Sequence, residues 1–202
     1  MTDYEVMVDA EALRSEVRDK YREVAEAPHG EFHFHTGRRL ADRCGYDVAV
    51  VDTLPATAVD AFAGVGNPFA LRTLAPGERV VDVGCGAGFD TLQAARAVGP
   101  SGAVIGVDMT PEMLKRARAA AREADATNVD VRAGLSEALP VEDGWADVVI
   151  ANGVINLVAD KRQAFAEIWR VLRAGGVLQF ADIANGQPVP EEAIAHIDLW
   201  TD

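Results

Sequence analysis

The sequence predicts an α/β protein built on a doubly wound parallel sheet of strand order 3-2-1-4-5, and three observations carry that prediction. From Arg79 onward, short runs rich in Val and Ile alternate with amphipathic runs at helical spacing, the pattern of strands joined by crossover helices. Three alternating glycines in Asp82-Val83-Gly84-Cys85-Gly86-Ala87-Gly88-Phe89-Asp90 stand between the first apolar run and the first of those helices. The next apolar run, Ala103-Val104-Ile105-Gly106-Val107-Asp108, ends in an acid.

Each element follows from its local pattern. A first helix runs from Ala10 to Ala27, with Leu13, Val17, Tyr21 and Val24 on one face and Pro28 ending it. The segment from Pro28 to Arg38 alternates aromatic and histidine residues, a short helix is expected from Pro55 to Ala63, and Gly64 to Phe69 is rich in turn residues. Residues 1–70 are therefore expected to form a helical N-terminal extension and lid, and residues 71–202 the sheet domain. In that domain Arg79-Val80-Val81 opens the first strand, and Thr91 to Val98 forms a helix closed by Gly99. Ala103 to Asp108 is the second strand, and Thr110 and Pro111 start a helix to about Ala124. Val129 to Arg132 and Ala146 to Ala151 are the third and fourth strands. Asp160 with Gln163 reads as a capping box for a helix whose core face carries Phe165, Ile168, Trp169 and Leu172, before Gly175-Gly176 and a fifth strand from Val177 to Ile183. In this order the fifth strand is an apolar border, which requires cover from a homo-oligomeric partner or from a further segment of chain.

Bulk properties narrow the function. At 202 residues, 49% hydrophobic and 25% charged, the chain has the composition of a soluble globular protein. No apolar run reaches the roughly 18 residues of a membrane span, and the acidic N-terminus lacks a secretory signal, so a cytoplasmic location is expected. The net charge of −13 argues against nucleic-acid and anionic-membrane partners and favours a small-molecule substrate. The two cysteines, Cys44 and Cys85, give neither a disulfide framework nor a zinc pattern, and Cys85 reads as a small apolar filler of the glycine loop.

The glycine spacing selects the ligand. Dinucleotide folds use GxGxxG with a helix N-terminus on the pyrophosphate, whereas this loop is GxGxG with Asp90 just inside the helix, where a carboxylate repels phosphate. A ligand without phosphate, carrying adenine, ribose and a cationic amino-acid tail, tolerates acids at Asp82 and Asp90, and S-adenosylmethionine has that composition. Asp108 then suits the two ribose hydroxyls.

With these residues in view the chain resembles class I S-adenosylmethionine-dependent methyltransferases, most closely the arsenite methyltransferases and their quinone-biosynthesis relatives. The resemblance rests on Val17-Arg18-Asp19-Lys20-Tyr21, the Gly66-Asn67-Pro68 turn, the loop from Asp82 to Asp90, Val104 to Thr110, and Ile150-Ala151-Asn152-Gly153-Val154-Ile155-Asn156-Leu157. It implies a Rossmann-like doubly wound fold, here without the C-terminal antiparallel hairpin usual in the class. It also implies that Asp82, Gly84 and Gly86, with Cys85 between them, hold the methionine end and that Asp108 takes the ribose. Met109 would lie against the adenine, Gly134 and Leu135 would edge it, and Asn152 and Asn67 would complete the cofactor-binding set.

The resemblance departs at the thiols. As(III) prefers thiolate donors. The cysteine implied after the fourth-strand asparagine is Gly153 here, the pair implied after the first helix is replaced by the His33-Phe34-His35 region, and the glycine-turn cysteine is Val65. The expected function is S-adenosylmethionine-dependent methyl transfer to a small molecule whose acceptor atom stays open. The alternatives are a donor-binding but inactive fragment or interaction module, and an NAD-dependent oxidoreductase, which GxGxG disfavours. Candidate catalytic residues are Tyr21, through its ring near a sulfonium or simply as a core residue, and His33 and His35, as substrate contacts, a general base or structural histidines. An HxH pair with no third ligand does not make a metal site, so none is expected.

Overall fold

The computed structural model describes residues 8–30, 32, 34–187 and 200. Strands β1 (Arg79–Val83), β2 (Ala103–Asp108), β3 (Val129–Ala133), β4 (Ala146–Asn152) and β5 (Leu172–Ala181) form one parallel sheet in the order β3-β2-β1-β4-β5. The central strands β1, β2 and β4 are buried on both faces, and their two-residue period divides the core. Val81, Val83, Ile105, Val107 and Val149 face the side that also holds Ile168 and Val171. Val80, Val104, Val148 and Ile150 face the side with Ala94, Ala95 and Val98. Each fully buried Val or Ile contributes about 1.5–3 kcal/mol, so these facing rows outweigh any single helix propensity.

The helices that cover the sheet are α5 (Phe89–Val98), α6 (Pro111–Glu123) and α7 (Lys161–Val171), and they follow four N-terminal helices: α1 (Ala10–Glu26), α2 (Gly37–Arg43), α3 (Val48–Val51) and α4 (Ala56–Val59). Asp9 caps α1 by accepting from the amides of Glu11 and Ala12 at 3.0 Å. The helix expected from Pro55 to Ala63 contracts to the single turn of α4, while α2 and α3 form where the sequence offered no strong period. Among the described residues, no helix is long and apolar enough to cross a membrane.

Two expectations near the C-terminus need correction. The face of α7 that meets the core is Ala164, Ile168 and Val171, whereas Phe165 and Trp169 are 40% and 82% exposed. These two lie one position further round the helix, and because α7 covers the border of the sheet, that side overhangs its edge. Phe165 is left to meet Phe180 of β5, ring to edge at 6.1 Å. Leu172, placed on the helix by its spacing, instead begins β5. Its partner is Ala146, and the next regular pair is Val148 with Val177, so residues 173–176 bulge out and Gly175 takes a φ of 78°. The capping box closes by half: Asp160 accepts from the Gln163 amide at 2.9 Å, but the Gln163 carboxamide donates to the Glu137 carbonyl. Among the described residues β5 pairs with β4 alone, with Val177 and Phe180 exposed along that border, and the strand ends at Ala181, so Ile183, expected within it, lies past its end.

Candidate functional site

At the C-terminal ends of the strands, β1 connects outward to β2 while β4 lies on its other side, and the crevice at such a reversal is where open α/β sheets take ligands. The chain leaves β1 through Gly84, Gly86 and Gly88, all with positive φ, and Gly88 delivers it into α5. Both Gly84 and Cys85 donate their amides to the Val107 carbonyl, at 2.8 and 3.0 Å, which pins the loop to β2. A β-carbon on Gly86 would meet nothing nearer than Met113 Sδ at 4.0 Å, so the backbone faces open space. On Gly84 it would run into Val154 at 2.3 Å. The resulting cleft encloses about 1000 Å³ including its open mouth.

Three acids line it, Asp82 and Asp90 buried and Asp108 half-buried. Asp108 accepts from the Gly86 amide at 2.9 Å through Oδ2 and from the Thr110 amide at 2.8 Å through Oδ1, which fixes the carboxylate at the end of β2. Asp82 accepts from the Thr91 hydroxyl at 2.6 Å. Asp90 accepts from the Tyr46 hydroxyl at 2.7 Å and from Asn152 Nδ2 at 3.0 Å. Burial raises all three above the ordinary carboxylate range, and Asp82 is raised further by its repulsion from Asp90. None of the three takes part in an ion pair among the described residues. A cation is the complement this end of the cleft lacks. An adenosyl sulfonium with an ammonium tail therefore fits the donor set, and a pyrophosphate does not.

Two N-terminal pieces roof the cleft. Helix α1 contributes Arg14, Val17 and Tyr21 to its wall. Arg14 Nη2 bonds Glu137 Oε1 at 3.0 Å, tying α1 to the loop after β3. The segment 61–64 forms another part of the wall, and the Asn152 carboxamide fastens the turn after it: Oδ1 accepts from Val65 and Gly66 at 2.8 and 3.1 Å, while Nδ2 donates to the Gly66 carbonyl at 2.9 Å.

Most residues singled out in the sequence gather here. Asp82, Gly84, Cys85, Gly86, Asp108, Met109, Gly134, Leu135, Asn152 and Tyr21 all line the cleft. Burial pushes the Tyr21 phenol up to about 12, assisted by Asp108 and Asp182, so it remains protonated and able to donate. Its ring also stacks on Phe34 at 6.4 Å, which joins its core and cleft roles. The Cys85 thiol is buried and raised well above its usual range, first by that burial, in keeping with a filler. Asn67 lies off the cleft wall: its carboxamide accepts from the Phe69 amide and donates to the Gly45 carbonyl, closing the turn that begins at Pro68. His35 is exposed and away from the lining, and His33 lies outside the described residues. Tyr46 and the Arg14–Glu137 pair escaped sequence reasoning because their partners are remote in the chain.

A glycine-turned loop at the switch point, an acid ending β2 and a buried acidic end define a nucleoside-binding protein of the class I methyltransferase type. The chain belongs to the methyltransferase domain family, whose profile matches residues 74–201, and S-adenosylmethionine is the methyl donor of that family. Over 98% of its length it is 40% identical to an arsenite methyltransferase of Halobacterium salinarum, of which it covers 55%. It is 36% identical to a demethylmenaquinone methyltransferase of Listeria welshimeri over 58% of this chain and 49% of that one. Among solved structures, an arsenic(III) S-adenosylmethionine methyltransferase from Chlamydomonas reinhardtii superposes with a TM-score of 0.60 at 38% identity, covering 65% of this chain and 46% of the other. The chain thus spans about half the length of the relatives it matches.

Proposed function

We propose that this chain transfers a methyl group from S-adenosylmethionine to a small apolar acceptor, on a frame like that of the arsenite methyltransferases. The observation that carries the reading is the row of groups along the cleft floor: the Asp108 carboxylate, the bare backbone at Gly86, and the buried acids Asp82 and Asp90. In that row Asp108 takes the ribose hydroxyls, with Met109, Gly134 and Leu135 against the adenine, and Asp82 faces the cationic methionine end. The donor supplies an electrophilic methyl on a sulfonium, which needs an aligned nucleophile and little acid or base chemistry. The protein's share is enclosure, for which α1 and the segment 61–66 serve as a lid. Asn152 acts within that lid, since both ends of its carboxamide are engaged by protein.

The acceptor side is apolar. Val17, Tyr21, Leu157, Val158 and Ala159 line it, and the one Arg–Glu pair in the lining, Arg14 with Glu137, is internally neutralised. An acceptor that arrives already nucleophilic suits such a wall, because the Tyr21 phenol is too basic to lose its proton near neutrality. No pair of thiols meets in the cleft: Cys44 is absent from the lining, and Cys85, which does line it, keeps a buried thiol raised well above its usual range by that burial. That supports an acceptor other than thiolate-bound arsenite.

Calorimetric titration with S-adenosylhomocysteine, NAD and NADP tests the donor, and mass-spectrometric screening of neutral apolar acceptors beside arsenite tests the reaction. Tight binding of the first ligand alone, with a methylated organic product, is expected. Binding without any product would favour a donor-binding module, and rapid methylarsenical formation that survives Cys44→Ser would overturn the acceptor assignment.

A further inference from the structure

Tyr46 stands between α2 and α3, outside the cleft, yet its hydroxyl is spent on a cleft residue. It donates to Asp90 Oδ1 at 2.7 Å and accepts from Asn152 Nδ2 at 3.0 Å. Asn152 Nδ2 also lies 3.0 Å from Asp90 Oδ2 and shares its two hydrogens among that oxygen, the Tyr46 hydroxyl and the Gly66 carbonyl, so the three side chains form one hydrogen-bonded cluster. The tyrosine ring is only 5% exposed and is fixed edge-on by Phe62 and Phe89, with centroids at 5.4 and 5.0 Å. A hydroxyl held this firmly sets where Asp90 points, and Asp90 is 6% exposed in the cleft wall.

We infer that Tyr46 is a positioning residue for the donor: through its hydroxyl it orients Asp90 and keeps it charged toward the cationic amino-acid end of the ligand. The inference rests on the donor reading above and adds a residue that never touches the ligand. A neutral donor aimed at a carboxylate favours the ionised form, and Asn152 adds a second such bond from β4. Opposing them is burial, while the repulsion between neighbouring acids falls on Asp82 of β1, which feels Asp90 and Asp108 and to which the Thr91 hydroxyl is already committed. The remaining titratable neighbour is the Cys44 thiol, itself raised first by burial and then by Asp90. With no cation paired to it among the described residues, Asp90 depends on these two hydrogen bonds to meet a positive ligand in its charged form.

The test is calorimetric titration with S-adenosylhomocysteine between pH 5.5 and 8.5 on the wild type, Tyr46→Phe, Asp90→Asn and the double variant, each checked for folding by circular dichroism. Tyr46→Phe keeps the ring and removes one hydrogen bond to a charged group, so affinity near neutrality should fall by about tenfold. The pH midpoint of binding should move upward, because Asp90 holds its proton longer. In the Asp90→Asn background the same substitution should change affinity by less than about twofold. An unmoved midpoint, or an equal loss in that background, would mean that Tyr46 acts through packing and would overturn the inference. If Tyr46→Phe does not fold, Asp90→Asn decides: it must flatten part of the pH dependence, and an unchanged profile overturns the assignment. Failure of the wild type to bind at any pH would instead remove the donor reading beneath it.

Discussion

Val154 occupies the space that a side chain on Gly84 would need: a β-carbon built there lies 2.3 Å from Val154 Cγ2, on a backbone whose φ is 68°. A valine at this position would strike Val154 before it reached any ligand. Left-handed backbone costs a branched residue on the order of 1–3 kcal/mol, and the collision adds to it. Gly84→Val should therefore lower the melting temperature as well as abolish S-adenosylhomocysteine binding. Val154→Gly in the same chain should restore part of the stability but leave the backbone strain. A Gly84→Val protein with wild-type melting would contradict this.

Asp108→Asn and Asp108→Ala separate two duties of one carboxylate. Both should weaken S-adenosylhomocysteine, by about 1–3 kcal/mol, through the lost charge-assisted ribose contacts. The asparagine oxygen can still take one of the two amides, from Gly86 or Thr110, so only the alanine variant should loosen the loop. Titration calorimetry measures the first effect, and amide exchange at Gly86 and Thr110 the second. Unchanged affinity in both variants would displace the ribose from this site.

Stability should fall as pH rises from acid toward neutral. Burial, and for Asp82 the neighbouring Asp90, push the folded-state values of Asp82 and Asp90 up to about 8 and about 6, above the roughly 3.9 of an unfolded aspartate. The native state then binds more protons than the unfolded chain, so this contribution is complete below about pH 4 and is lost as pH rises through those folded values. Glu167 works in the opposite sense. Its hydrogen bond from Arg170 lowers it, and the stability it brings is lost as pH falls below the unfolded glutamate value. The ligand-free melting temperature should peak in mildly acidic buffer and decline toward pH 8.5, and Asp82→Asn should flatten the decline. A ligand-free protein most stable above pH 8 would refute this account.

Neighbours on α7 should respond in opposite ways to truncation. Ile168 is 2% exposed beneath the sheet, and Ile168→Ala should cost about 2–5 kcal/mol in denaturant unfolding. Trp169 is 82% exposed, so Trp169→Gln should stay within about 0.5 kcal/mol of wild type while reducing self-association in light scattering. A costly Trp169→Gln in dilute monomer would show that this face is packed within the chain.

These residues also show where the sequence was legible. The strands of the sheet, the glycine loop and the position of Asp108 could be read because each depends on a local pattern: continuous Val- and Ile-rich runs between amphipathic ones, glycine where φ is positive, an acid at a strand end. The core face of α7 was misread because periodicity gives the angle between residues and leaves the phase to the neighbouring layer. Near a sheet border that layer covers less than the apolar stripe, and Phe165 and Trp169 spill outside it. The turn at Asn67 looked like part of the site from its place in a motif, but its carboxamide is consumed in shaping the turn. Tyr46 left no local trace, since its bond to Asp90 crosses 44 positions of chain.

The two fastenings of the roof differ in kind. On the side of β3 the joint is ionic, Arg14 to Glu137, with the arginine side chain 27% and the glutamate 10% exposed. On the side of β4 it is made by a neutral carboxamide, Asn152 to Val65 and Gly66. Dissolved salt screens the first and leaves the second untouched. Ionic strength therefore slackens the molecule on one flank only, and a titration with sodium chloride becomes a way to loosen α1 over the nucleoside end while the turn above β4 stays shut.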